Sequence, residues 1–136
     1  MRFRFVEDLT SDVVFEAFGK NTNELFENAA FALFNVISQP EKVSSDIEKK
    51  VSVEGSDLKD LMFNWLQELI GLVDLENMFF SKFVVDEISE TKLKAKCFGE
   101  EADPAKGGTL VKAVTYYKFN IEKTDDGYKA TVSLDI

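Results

Sequence analysis

Asp12 closes a polar turn (Leu9-Thr10-Ser11-Asp12) at the start of a short apolar run, and Asp135 is the penultimate residue, followed by Ile136 and its α-carboxylate. In the last segment Tyr128, Ala130, Val132, Leu134 and Ile136 alternate onto one face, so Asp135 projects from the other. A final strand lying within a sheet would bring Asp135 and the chain-end carboxylate beside Asp12. Three such groups repel one another unless a cation lies between them, and all-oxygen donors suit a hard cation such as calcium or magnesium. The plainer reading, acids near a chain end that are simply solvated, stays open on spacing alone.

Other side chains offer less chemistry. The 136 residues include no histidine and one cysteine. That composition excludes imidazole-ligated metals, Ser-His or Cys-His nucleophile pairs, an internal disulfide and a thiolate cage. Cys97 falls between Ala95 and Gly99 on an apolar strand face and reads as a buried small hydrophobe. Trp65 reads as core, as do the 13 phenylalanines. Lys92, Lys94 and Lys96 form a row on one strand face, too small for a phosphate track. With 25 acidic against 16 basic residues, the net charge of −9 argues against autonomous nucleic-acid binding. No apolar run approaches the ~20 residues of a membrane span, and the N-terminus has no signal-peptide pattern. The expectation is a cytoplasmic protein in a reducing compartment.

These residues need a scaffold, and the patterning indicates one domain over 1–136. Apolar residues recur at three- and four-residue spacing over 22–38 (Leu25, Phe26, Ala29, Ala30, Leu33, Phe34, Ile37) and over 57–75 (Leu58, Leu61, Met62, Trp65, Leu66, Leu69, Ile70, Val73), predicting two amphipathic helices. Asn21 with Glu24 forms an imperfect capping box, and Asp57 and Asp60 suit the positive end of the second helix dipole. Period-two segments predict strands at 2–7, 13–18, 46–54, 79–88, 91–99, 111–123 and 127–135, the last two joined by an Asp126-Gly127 hairpin turn. The order predicts an α+β fold in two layers, an antiparallel-rich mixed sheet with two helices packed on it. The acidic stretch 100–110, with Pro104, Gly107 and Gly108, is expected to be a mobile loop.

Several segments together resemble the archease family. Glu7-Asp8-Leu9-Thr10-Ser11-Asp12-Val13 is similar to its opening Glu-His-Thr-Ala-Asp-Ile motif. Leu25-Phe26-Glu27-Asn28-Ala29-Ala30, Val53-Glu54-Gly55-Ser56-Asp57-Leu58 and Asn64-Trp65-Leu66-Gln67-Glu68-Leu69 continue the likeness. Val111-Lys112-Ala113-Val114-Thr115-Tyr116 resembles Val-Lys-Ala-Ile-Thr-Tyr-His, and Leu134-Asp135-Ile136 the closing apolar-Asp-apolar ending. The resemblance implies a non-enzymatic cofactor of an RtcB-type RNA ligase in tRNA splicing, promoting ligase guanylylation and multiple turnover. It implies a divalent cation, calcium first with magnesium or manganese as substitutes, held by Asp12, Asp135 and Ile136, and a partner-facing lysine at Lys112. Two family histidines are replaced here, by Leu9 and Tyr117. Asp8 and Glu100 are spare acids that could join the site. Competing expectations are a general acidic adaptor or chaperone, and a metal-dependent phosphoester hydrolase.

Overall fold

The computed structural model describes residues 1–7 and 12–136. Two helices and two sheets follow in the order β1 (Phe3–Val6), β2 (Val13–Gly19), α1 (Thr22–Ile37), β3 (Ile47–Glu54), α2 (Leu58–Glu76), β4 (Met78–Ile88), β5 (Lys92–Glu101), β6 (Ala113–Thr124) and β7 (Gly127–Asp135), with short 3-10 turns at Pro40–Lys42 and Pro104–Lys106. The first helix begins on its expected cap, Asn21, whereas Asp57, expected inside the first turn of the second helix, caps it instead. The Asn21 side chain accepts from the Glu24 amide, and Asp57 from the Asp60 amide, each satisfying one amide that a helix start leaves without a partner.

The chain is α+β and every described strand pair is antiparallel, but the strands divide between two sheets where one mixed sheet was expected. One sheet has the order β1-β2-β7-β6 and the other β3-β5-β4. Helix α1 packs on β2 of the first and on β4 of the second. Its composition explains how. Beside the expected apolar stripe, Asn28, Ala32 and Val36 form a second buried row at four-residue spacing. Small side chains let the backbone approach closely on that side. Asn28 stays satisfied there, donating to the Phe18 carbonyl (2.6 Å) and accepting from Arg2 Nε (2.8 Å).

Helix α2 meets α1 through Trp65, fully buried, whose indole N–H donates to the Phe26 carbonyl at 3.0 Å. On another side α2 lies along β6. Phe63 stacks on Tyr116 (4.4 Å, 6° between planes), and Gln67 Oε1 accepts the Val114 amide at 3.0 Å. Strand β6 is not continuous in pairing. Thr115 faces Ser133 and Asn120 faces Thr131, so residues 116–119 bulge out opposite Val132 alone, with Lys118 at φ 55°.

The stretch expected to be a mobile loop is pinned. Lys106 O accepts the Gln39 amide, Gly108 N–H donates to Ile37 O (2.8 Å), and Thr109 N–H donates to Val36 O (2.8 Å). The segment thereby satisfies carbonyls at the α1 C-terminus that the helix cannot pair itself. The approach is so close that a Cβ on Gly108 would meet Val36 O at 2.5 Å. Glycine here is a packing requirement, not a mark of looseness.

Candidate metal and partner-contact site

Val13 pairs with Leu134 in the last pair of the β2–β7 ladder, so Asp12 and Asp135 each adjoin that pair in the chain. On its other side Asp135 pairs with Ala113, and its carbonyl accepts the Lys112 amide at 2.8 Å. Asp12, Asp135, Ile136 and Lys112 therefore gather at one end of the first sheet, although 123 positions (135 − 12) separate the two aspartates in the chain. Lys112 is exposed between buried Val111 and half-buried Ala113, as alternation predicts. It lies just before β6, whose expected start at 111 shifts to Ala113, because β7 ends at Asp135 and offers no further partners.

The two faces of this sheet differ sharply. Phe15, Ala17, Ala130, Val132 and Leu134 are fully buried in the core, on the face turned to α1. The other face carries Asp12, Val14, Glu16, Thr115, Ser133 and Asp135. Ser133 Oγ lies 3.4 Å from Asp12 Oδ2 and donates to it. Thr115, directly across from Ser133, has a hydroxyl oxygen shielded from solvent and without a hydrogen-bond partner among the described residues. Farther along this face, burial alone would raise the Glu16 carboxyl pKa, but hydrogen bonds and charge from Arg4 and Lys129 bring it below the usual carboxylate value.

Asp12 also lines an open cleft of about 550 Å³ with Val14, Asn35, Gln39, Gly108 and Thr109. The C-terminal turn of α1, which contains no basic residue, forms one wall. Neither Asp135 nor Ile136 lines this cleft. The donor set fits a hard divalent ion in type: two side-chain carboxylates, a chain-end carboxylate and adjacent hydroxyls. Among the described residues, no three Cys, Asp or Glu side chains cluster into a cage of their own. Asp8 and Leu9 lie outside the described residues.

Ser133 and Thr115 were not singled out from sequence. Their signal was present in the alternation, since both fall on the Asp135 face between apolar neighbours, but serine and threonine are ordinary strand residues.

Glu100 is not a spare acid. It sits on β5 of the second sheet, where it accepts from Lys106 Nζ (2.6 Å) and from the Ser44 amide (2.7 Å). The Lys106 hydrogen bond, followed by those from Ser44, holds its pKa down to about 2 from the ordinary 4.5. A depressed carboxyl stabilises the fold above its unfolded pKa and loses that contribution as pH falls toward the folded one. Urea midpoints should therefore fall between about pH 5 and pH 2 more steeply in the wild type than in Glu100→Gln. Parallel curves would show that the pair contributes nothing.

The remaining candidates settle as expected. Cys97 is fully buried and its thiol is pushed up to about 12 by burial, which leaves no thiolate for chemistry near neutral pH. Lys92, Lys94 and Lys96 face Glu54, Glu87 and Asp86 at 4.0, 3.9 and 3.6 Å, a loosely paired solvated row. No helix among the described residues is long and apolar enough to cross a membrane.

Fold and site together define a small two-sheet α+β protein whose second and last strands pair at a carboxylate-bearing end. Residues 3–136 match the Archease protein family (MTH1598/TM1083), and the chain belongs to that family. It is 41% identical to the protein archease of Methanosarcina barkeri over 95% of this chain and 92% of that one. It is also 41% identical to the protein archease of Sulfurisphaera tokodaii, over 99% of both. Among solved structures it is similar to Methanobacterium thermoautotrophicum protein 1598, with a TM-score of 0.82 and 33% identity over 99% of each chain. A Thermotoga maritima archease, described as a possible chaperone, shares the fold at TM-score 0.70 and 21% identity, over 98% of this chain and 97% of that one.

Proposed function

We propose that this protein is a non-enzymatic cytoplasmic cofactor of an RtcB-type RNA ligase of tRNA splicing, promoting ligase guanylylation and multiple turnover. The observation that carries the reading is the convergence of Asp12, Asp135, Ile136 and Lys112, the residues matching the family motifs, at one exposed end of the fold. Asp12, Asp135 and the carboxylate at Ile136 hold a divalent cation, calcium first and magnesium or manganese as substitutes. Such an ion supplies concentrated positive charge beside phosphate groups.

The exposed Lys112 side chain at the same end reaches toward the ligase. The chain has no histidine, so the attacking nucleophile belongs to the ligase. This protein acts by binding the activation-competent ligase conformation more tightly than the resting one, which shifts its population without chemistry here. Net charge −9 fits a protein that reaches RNA through its partner.

Turnover by a cognate RtcB-type ligase, measured with and without this protein, tests the reading. Stimulation beyond a single turnover is expected, with Lys112→Ala reducing it several-fold while leaving calcium binding intact. Unchanged turnover at saturating concentration overturns the assignment. Protection of many unrelated unfolded proteins would favour a general chaperone instead.

A further inference from the structure

The Thr115 hydroxyl is an anomaly. A shielded hydroxyl without a partner is destabilising, and buried polar atoms in native folds are nearly always paired. Its surroundings indicate what is missing. Thr115 faces Ser133 directly across the β6–β7 ladder, and Ser133 already donates to Asp12. Asp135 is the diagonal neighbour of Thr115 on the same face. In antiparallel sheets such diagonal pairs lie about 7–8 Å apart, a gap that one water spans.

We propose that Thr115 and Ser133 are positioning residues for the cation site. Ser133 orients the Asp12 carboxylate in the protein alone. The Thr115 hydroxyl gains its partner only when a divalent cation is held, by bonding to a water of the cation's hydration shell beside Asp135. Calcium and magnesium commonly retain such waters, and outer hydrogen bonds of this kind typically change metal affinity 10–100-fold. The inference rests on the carboxylate site proposed above. It adds that the hydroxyl pair tunes that site and that an empty site leaves Thr115 strained for a partner.

The test is Thr115→Val, which keeps the shape and removes the hydroxyl, with Thr115→Ser as the conservative rescue and Ser133→Ala as an independent arm. Calcium titration calorimetry and thermal unfolding in EDTA are measured on each. Thr115→Val should bind calcium about 10–100-fold more weakly, yet melt about 3–5 °C higher in EDTA because an unsatisfied hydroxyl has gone. Thr115→Ser should bind like the wild type, and Ser133→Ala should bind about 10-fold more weakly or worse.

Unchanged calcium affinity in both Thr115→Val and Ser133→Ala overturns the proposal, whatever their melting temperatures. A lower melting temperature for Thr115→Val in EDTA overturns the unpaired hydroxyl on which it rests. A wild type that binds no calcium, magnesium or manganese overturns the carboxylate site itself, a failure recognisable before any variant is made.

Discussion

Asp135→Asn is expected to lose calcium affinity by about 100-fold or more and, with it, the calcium-dependent rise in stability. At a concentration near 100 times its dissociation constant, a ligand specific to the folded state stabilises a protein by about 2.7 kcal/mol. Among the described residues, Asp135 supplies one of the two side-chain carboxylates of the proposed site. It follows Leu134, the partner of Val13 next to Asp12, and its carbonyl accepts the Lys112 amide. An amide can still offer one oxygen but no charge, and the affinity of oxygen sites for calcium follows the ligand charge count. The variant should fold normally, because Asp135 is only half-buried and its ladder bonds are main-chain. Calorimetric titration and melting scans in EDTA and in calcium are the measurements. Equal calcium-induced shifts in wild type and variant would remove Asp135 from the metal site.

Trp65→Ala should cost about 3–5 kcal/mol from lost burial and the cavity left behind. That is a large share of the 5–15 kcal/mol that typically holds a domain together. Trp65 is fully buried where α1, α2 and β4 meet, with its ring edge-on to Phe83 at 6.4 Å. Its N–H is bonded to the Phe26 carbonyl, so truncation also removes that carbonyl's side-chain donor. Trp65→Phe separates the two contributions. It keeps most of the volume and loses the donor, and should cost about 1–3 kcal/mol. Urea unfolding measures both. A loss below about 1 kcal/mol for the alanine variant would mean the helices do not depend on this contact.

The amphipathic helices, the hairpins and nearly every strand boundary were legible because each is a local pattern of apolar spacing. Asn21 and Asp57 marked helix starts by their own chemistry. The division into two sheets was not legible, since strand partners far apart in sequence leave no local trace. Nor was the second buried row of α1, where Asn28 and Ala32 look like surface residues until Phe18 and Arg2 are seen to satisfy the asparagine. The 100–110 stretch misled because Pro104, Gly107 and Gly108 mark turns equally well when those turns are hydrogen-bonded. At the site, alternation in the last strand was enough to aim Asp135 away from the core. The pairing of Ser133 with Asp12 and the isolation of Thr115 depend on register, and register at β6 hinges on a bulge that an uninterrupted strand over 111–123 did not anticipate.

That bulge has a bearing on solubility. A chain with 13 phenylalanines and a sheet ending on β6 exposes a potential template for other chains. Here the Val114 amide is already taken by Gln67, and residues 116–119 swing out of line a few positions later. An incoming strand would find no unbroken row of donors and acceptors to copy. The molecule can therefore keep Tyr116 exposed at that margin without inviting fibrillar growth along it.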